Sequence, residues 1–294
     1  MATNNELSIM ALKATNPAIV TYTMCECGEN HVGNQQIGQI ASKEDAFNLL
    51  DFQKALKNAE KMGCQEGRIL HLNQPLTEAD LTNNKGEIVE AEDAYLLVLK
   101  NMIRIILAKA GKTMADLYKE VMAKKWDTKV YSQKHKNNGK GGVVNKNARH
   151  NNILADFSQE ADYPARKGTI HNFKDMPLIS LIREAIFKIF GEKAYNLIAE
   201  GNLYPDGGAK KHGIGFHGDV ERRLIVGLRI QLAKKSMPMH YQWYLDRKRI
   251  GPMIIIPLNG GDIYAKSMKT VGTDWKKRKI PTIRHATGAL KFTK

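Results

Sequence analysis

The residues with the clearest chemical potential are a histidine and an aspartate one glycine apart, and a second histidine near the carboxyl end: His217, Asp219 and His285. Residues two apart on an extended strand point to the same side, so His217 and Asp219 could reach one metal ion. Two histidines and one carboxylate make a facial triad, which leaves several positions of an octahedral iron(II) open. Taken alone, these residues also fit a buried structural histidine beside an aspartate in a turn.

The elements that must position these residues are predicted to be short strands. Apolar segments alternate with turn signals from residue 224 onward, including the turn Asn259-Gly260-Gly261. They follow an amphipathic helix that begins near Met176 and ends at Gly191. Short strands at this spacing indicate a sandwich or a barrel. The predicted strands span 224–232, 240–245, 253–258, 262–265, 282–285 and 289–292.

The first part of the chain carries no comparable set of chemical groups. Residues 1–95 are predicted to form a mainly helical accessory region, with a helix start at 42–45. Residues 93–124 have apolar positions at helical spacing and are predicted to form two helices. Basic and amide residues with glycine make 124–152 a predicted mobile loop. We expect this part to act as a scaffold or a recognition module.

Charge and cysteine content narrow the classes of protein. The 294 residues carry 45 Lys and Arg against 30 Asp and Glu, a net charge of +15. Such an excess favours nucleic acid as a partner, although it can also serve solubility alone. Cys25, Cys27 and His31 leave a zinc site open as an alternative to reduced thiols. Without a signal peptide or a membrane-spanning run, the sequence predicts a soluble intracellular protein, cytoplasmic or nuclear.

The segment that leads to the histidine and aspartate resembles the AlkB family of dioxygenases. In that family a strand carries N-x-Y, a glycine-containing turn follows, and H-x-D comes next with an acidic residue close behind. Asn196, the apolar segment 224–228 and Gly261-Asp262 fit the same family pattern. The resemblance covers roughly residues 145–294, and its order of elements is far more specific than the three ligands alone. The matching residues are Asn202 with Tyr204, Pro205 to Gly208, His217 with Asp219, and Glu221.

This resemblance implies an α+β chain with a double-stranded β-helix (jelly-roll) oxygenase core. The dioxygenase domain is expected over 96–294, after the mainly helical region 1–95. His217, Asp219 and His285 would be the catalytic ligands of iron(II). Asn202 and Tyr204 would contact the cosubstrate 2-oxoglutarate. With O2, these cofactors oxidise a C–H bond while the protein positions the target carbon.

The chain departs from the family where the distal carboxylate of 2-oxoglutarate should be bound. The AlkB family uses an arginine in an R-x-N-x-T-x-R strand after the second histidine, whereas this chain offers only lysines beyond His285. Lys291 is preferred over the terminal Lys294 because chain ends fray. Arg284 is a third candidate, although it would point away from its neighbour His285 on a regular strand.

The resemblance also suggests where the substrate binds. The segment 145–163 would form part of a substrate lid, in which Arg149 could meet a phosphate and His150 or Tyr163 could stack on a base. We expect N-demethylation or hydroxylation of a base in DNA or RNA, for repair or for deliberate modification. The alternatives are the same chemistry on a protein side chain, and a catalytically silent nucleic-acid-binding protein on the same scaffold.

Overall fold

The computed structural model describes residues 17–137, 140–233 and 236–294. Strands account for 35% of the structure and helices for 22%, so the chain is a strand-rich α+β protein. No helix within the described ranges is long and apolar enough to cross a membrane.

Sixteen strands and six helices can be followed through the described residues. In the first half of the chain the strands are β1 (Ile19–Cys25), β2 (Cys27–Asn30), β3 (Gln35–Gly38), β4 (Gly67–His71), β5 (Tyr95–Leu99), β6 (Lys129–Asn137) and β7 (Lys140–Asn145). The later strands are β8 (His150–Ala155), β9 (Ile170–Asn172), β10 (Ile198–Tyr204), β11 (Gly213–His217), β12 (Ile225–Ile230), β13 (Met239–Leu245), β14 (Lys248–Ile256), β15 (Ile263–Lys266) and β16 (Thr282–Gly288). The helices are α1 (Leu49–Lys61), α2 (Met102–Lys109), α3 (Met114–Met122), α4 (Pro177–Phe190), α5 (Met268–Val271) and α6 (Leu290–Thr293).

An eight-stranded sheet forms the centre of the molecule, in the order β4-β5-β15-β12-β1-β10-β8-β9. Its strand pairs are antiparallel except β8 and β9, which run parallel. A second sheet has the order β11-β16-β13-β14, and two hairpins pair β2 with β3 and β6 with β7. The central sheet is therefore mixed, and it contains strands from both halves of the chain.

The two faces of the central sheet differ in chemistry. On β1, Val20, Tyr22 and Met24 belong to the large apolar core that also contains the buried sides of α1 to α4. Thr21 and Thr23 alternate with them and point to the opposite face. Helices cover the apolar face, and the other face is left to the second sheet and to a polar cavity.

The second sheet packs against the central sheet through a smaller apolar core. Leu96 and Tyr264 from the central sheet meet Tyr241, Trp243 and Ile283 from the second sheet in this core. The indole of Trp243 is fully buried and donates to the carbonyl of Leu72 at 2.9 Å. The two sheets are thus held face to face.

The prediction of a mainly helical region 1–95 is wrong. Its described residues contain four complete strands and the start of a fifth, with α1 as their single helix. β1 lies between β10 and β12 of the second half, so its backbone hydrogen bonds cannot be satisfied within the first 95 residues. The predicted boundary at 95 coincides with the first residue of β5, a strand of the central sheet.

Other local predictions had mixed outcomes. The helix expected after Met176 and the five strand segments between 224 and 285 are confirmed, with shifts of a few residues at their ends. The segment 93–124 begins with a buried strand before its two helices, and 289–292 forms most of the short helix α6 rather than a strand. The predicted loop 124–152 contains the hairpin of β6 and β7, whose residues 138–139 lie outside the described ranges.

Candidate active site

The two histidines of the candidate metal site are direct partners across neighbouring strands. β11 ends at His217, which pairs with His285 of β16, and the centres of their imidazole rings are 4.4 Å apart. The Nδ1 atom of His217 lies 2.8 Å from the carbonyl oxygen of Gly215. A proton on Nδ1 that is donated to this oxygen leaves the Nε2 lone pair for a metal.

Asp219 lies just beyond the end of β11, so strand alternation does not set its position as the sequence analysis assumed. Its backbone amide donates to the carbonyl oxygen of Val271 at 3.1 Å, which fixes the turn. One carboxylate oxygen is 3.8 Å from Nε2 of His217, and the other is 3.3 Å from Nε2 of His285. The potential ligand atoms of the three residues all lie within 4.8 Å of one another.

The protonation states of these residues fit metal binding. Burial and the nearby Lys266 ammonium lower the pKa of His285 to about 3, and burial lowers the pKa of His217 against the opposing effect of Asp219. Burial would raise the pKa of Asp219, but Lys266 and His285 hold it well below its usual range. At neutral pH the site offers two neutral imidazoles and one carboxylate, which are the forms that coordinate a divalent cation.

No second metal site of this kind is found in the part of the chain that the structure describes. The cysteines Cys25, Cys27 and Cys64 are buried free thiols. His31 binds Glu200 instead of joining them, with 2.8 Å between Nε2 and the carboxylate oxygen. The alternative of a zinc site at Cys25, Cys27 and His31 therefore gains no support.

A buried lysine touches the triad from the central sheet. Lys266 ends β15 and is 3% exposed. Its Nζ atom lies 2.9 Å from Nε2 of His285 and 3.5 Å from a carboxylate oxygen of Asp219. Burial lowers the pKa of Lys266 to about 8, although Asp219 opposes the shift. The amine thus contacts two of the atoms that would bind a metal.

Replacing Lys266 with methionine should tighten iron(II) binding by roughly tenfold or more, because it removes a positive charge beside a dication and frees Nε2 of His285. The measurement is titration of the metal-free protein with iron(II) under anaerobic conditions, or with manganese(II). Lys269→Met is the matched control, since Lys269 is equally buried but pairs with Asp274. Weaker binding by the Lys266 variant would mean that the lysine holds the ligands in place.

The floor of the site is the polar face of the central sheet. Across three neighbouring strands, Thr21 of β1 pairs with Asn202 of β10 on one side and with Arg229 of β12 on the other. These residues and the metal triad line one cavity of about 210 Å³. Asn202 and Tyr204 therefore lie in the same cavity as His217, Asp219 and His285. The sheet residues that line the cavity include Thr21, Thr23, Glu200, Asn202, Tyr204 and Arg229.

A charged network stiffens the cavity wall. Glu200 is 4% exposed, and its carboxylate accepts a hydrogen bond from the Arg222 guanidinium, which also binds Glu221. His31 lies between Glu200 and Glu29, at 2.8 and 3.5 Å. Burial would raise the pKa of Glu200, but Arg222 and His31 hold it well below its usual value. Glu200 and Arg222 are thus charged in the folded protein.

Glu200→Gln should lower the free energy of unfolding by about 3 kcal/mol at pH 7, because Arg222 stays buried with one ionic partner fewer. Since the folded-state pKa of Glu200 is depressed, its contribution is fully present above the unfolded-state pKa, about 4.3, and is lost as the pH falls below that value. Urea unfolding of both proteins at pH 7 and in acid measures the difference. Glu160→Gln, which breaks an exposed pair with Lys125, is the control and should have little effect. An equal effect of the two variants would contradict the prediction.

Only one of the three predicted substrate residues lines the cavity. Arg149 lines it and donates to the side-chain oxygen of Asn202. His150 does not line it and packs edge-on against His212, with 6.3 Å between the ring centres. The hydroxyl of Tyr163 donates to the buried Asp127 at 3.1 Å, so this ring supports the loop structure instead of facing the cavity.

None of the three cations predicted for the distal carboxylate lines the cavity. Lys291 and Lys294 are exposed, because the chain turns into α6 after Gly288 instead of continuing the strand. Arg284 points away from His285 and lies over the ring of Tyr244, at 3.9 Å from its centroid. The three predicted cations therefore lie outside the cavity that His217, Asp219 and His285 line.

Several cavity residues were missed by the sequence analysis. They lie on elements that only the sheet order brings together, although β12 carried a local signal. Gly227 and Arg229 alternate there with buried apolar residues, which is the pattern of a strand with one polar face. Among the missed residues are Glu29, Arg222, Arg229 and Lys266, whereas His31 was named only as a candidate zinc ligand.

No family model matches the chain. It is similar to the uncharacterized protein R156 of Acanthamoeba polyphaga mimivirus, with 37% identity over 275 residues. The matched part covers 94% of this chain and 97% of the viral protein, so the similarity extends over nearly the whole length of both.

Proposed function

We propose that this chain, which belongs to the same family as the mimivirus protein, is an iron(II)- and 2-oxoglutarate-dependent dioxygenase of the AlkB-like type. The proposal rests on the site itself. The observation that carries the proposal is the convergence of His217, Asp219 and His285 beside Asn202 and Tyr204 in one cavity. Two histidines and a carboxylate on one side of a cavity are the donor set of non-haem iron oxygenases.

The arrangement of the sheets supports a double-stranded β-helix as the core of this enzyme. Two sheets lie face to face, and the candidate ligands come from β11, from β16 and from the turn after β11. The central sheet contributes the floor of the cavity. A metal held by these ligands would lie between the sheets, in the cavity that Asn202 and Tyr204 also line.

Each residue has a defined task in this proposal. His217, Asp219 and His285 hold the metal, and Asn202 and Tyr204 contact 2-oxoglutarate. When bound, iron(II) and 2-oxoglutarate supply the activation of O2, coupled to decarboxylation to succinate, that oxidises a C–H bond of the substrate. Arg149 at the cavity wall binds and orients the substrate. The network around Glu200 keeps this wall rigid while the target carbon is positioned.

We propose a nucleic-acid base as the substrate, because the net charge of +15 suits a polyanion. Lys210 and Lys211 are exposed in the loop between β10 and β11. The end of this loop is tied to the segment before β8 that contains Arg149, since the amide of Gly213 donates to the carbonyl of Ala148 at 2.9 Å. A base in a duplex would have to leave the stack to enter the cavity.

Succinate formation from 2-oxoglutarate tests the proposal. Purified protein with iron(II) and O2 is supplied in turn with methylated DNA, methylated RNA and a peptide pool, beside His217→Ala. We expect stimulation by one nucleic acid and no succinate from the variant. Stimulation by peptides alone would overturn the proposal of a nucleic-acid substrate, whereas the proposed reaction class would stand. Absence of iron binding by the wild-type protein would overturn the dioxygenase itself.

A further inference from the structure

A buried arginine in the cavity lacks partners for most of its guanidinium. Arg229 on β12 is 0% exposed. Its Nη1 atom donates to the hydroxyl of Thr21 at 2.8 Å. The Nε and Nη2 atoms have no hydrogen-bond partner among the described residues, and Arg229 forms no ion pair within the same ranges. Two of the three guanidinium nitrogens of this fully buried cation therefore lack a partner among the described residues.

No carboxylate among the described residues is paired with the Arg229 guanidinium. The acid whose charge acts on it, Asp262, is already committed to other groups. The Asp262 carboxylate accepts from Lys100 Nζ at 2.7 Å and from the backbone amides of Asn101 and Asn259 at 3.0 and 2.8 Å. Burying a charge without a partner is costly, so an unpaired arginine in a cavity indicates a binding site for an anion.

The surroundings of Arg229 suit a carboxylate. Its guanidinium presents two adjacent N–H donors, the fork that binds both oxygens of a carboxylate. Tyr204 and Tyr264 line the same cavity and carry hydroxyl groups that can donate to an anion. Gly227 lies two residues before Arg229 on β12 and leaves room for the Tyr264 ring. A Cβ at position 227 would lie 2.1 Å from this ring. The cavity thus contains three side chains that can donate to a carboxylate, and the strand that carries Arg229 helps to shape it.

We propose that Arg229 binds the distal carboxylate of a linear 2-oxo dicarboxylic acid whose other end faces the triad of His217, Asp219 and His285. The identity of this acid as 2-oxoglutarate rests on the proposed function, whereas the carboxylate site at Arg229 does not. The cation therefore comes from the strand that follows the H-x-D segment. The candidates after the second histidine, Lys291, Lys294 and Arg284, have no part in it.

The test compares two ligands that differ only in the distal carboxylate, 2-oxoglutarate and 2-oxobutyrate. Their dissociation constants are measured by calorimetry on manganese(II)-loaded protein. We expect the wild type to prefer 2-oxoglutarate by about tenfold to a hundredfold, and Arg229→Met to lose this preference. Arg229→Lys, which keeps the charge but not the fork, should retain part of it. Arg284→Gln and Lys291→Ala are the matched controls and should keep it fully.

Two further measurements separate this site from a structural role and from the oxygenase proposal. Arg229→Met should melt at the same temperature as the wild type or higher, since it removes an unpaired buried charge. Glutarate, which lacks the keto group, is also titrated into metal-free protein. If the protein binds no iron but binds glutarate in a way that depends on Arg229, the oxygenase proposal is overturned and the proposed carboxylate site at Arg229 stands. An unchanged preference in Arg229→Met, or none in the wild type, would overturn the site.

Discussion

Asparagine in place of Asp219 should weaken iron(II) binding by about a hundredfold or more and abolish 2-oxoglutarate turnover. Asp219 is the single negatively charged member of the triad, and its two oxygens face the two histidines at 3.8 and 3.3 Å. The amide of asparagine has nearly the same shape but no charge. It also leaves the Lys266 ammonium, now 3.5 Å from the carboxylate, without its counter-charge next to the metal.

The measurement is an anaerobic iron(II) titration of folded protein, accompanied by a melting curve for each variant. Asp156→Asn is the matched control, because Asp156 is exposed and pairs only with Arg183 on the surface among the residues that the structure describes. It should bind iron(II) as the wild type does. If the Asp219 variant did so as well, the metal would have to be bound elsewhere in the protein.

Gly218→Ala should also disable the site, because the added methyl group would collide with a neighbouring backbone segment. A Cβ at Gly218 would lie 2.0 Å from the carbonyl oxygen of Gly272 and 2.9 Å from the Trp275 ring. The backbone must therefore move, and the hydrogen bond from the next residue, Asp219, to Val271 moves with it. We expect a loss of about 2–3 kcal/mol in the free energy of unfolding, together with much weaker metal binding.

Gly215→Ala is the control for this substitution. Gly215 lies on β11, three residues before Gly218, but a Cβ there would meet a single atom, the carbonyl oxygen of Phe292, at an ordinary 3.9 Å. Urea unfolding and iron(II) titration of both variants give the comparison. Equal stability and affinity of the two variants would show that the turn between the metal ligands tolerates a side chain.

The sequence was sufficient to identify the residues of the candidate metal site but not to explain their geometry. The order of N-x-Y, turn and H-x-D pointed to residues that the structure places in one cavity. Asp219, however, is positioned by a hydrogen bond to Val271, from a segment about 50 residues away, and not by strand alternation. Local periodicity contains no information on such a contact.

The same limit applies to the elements that were mispredicted. The apolar run of β5 (Tyr95–Leu99) fits a buried strand as well as a helix. It forms a strand because it pairs with β4 and β15 in the central sheet. β1 was overlooked because Thr21 and Thr23 make half of it polar, which is explained by the cavity that they line. The sequence alone does not mark Arg229 as an anion-binding residue, because Thr21 and Tyr204 join it in the cavity only through the fold.

The central place of β1 also governs how the chain can reach its fold. Val20 and Met24 pair with residues of β10 and β12 that are more than 170 positions later. Contacts of such long sequence separation slow folding, because the loop between them must close before they form. During synthesis, β1 leaves the ribosome long before its partners and exposes two unpaired edges until they arrive. Folding of the cavity floor is therefore expected to be a late, largely post-translational event, and one that chaperones can assist.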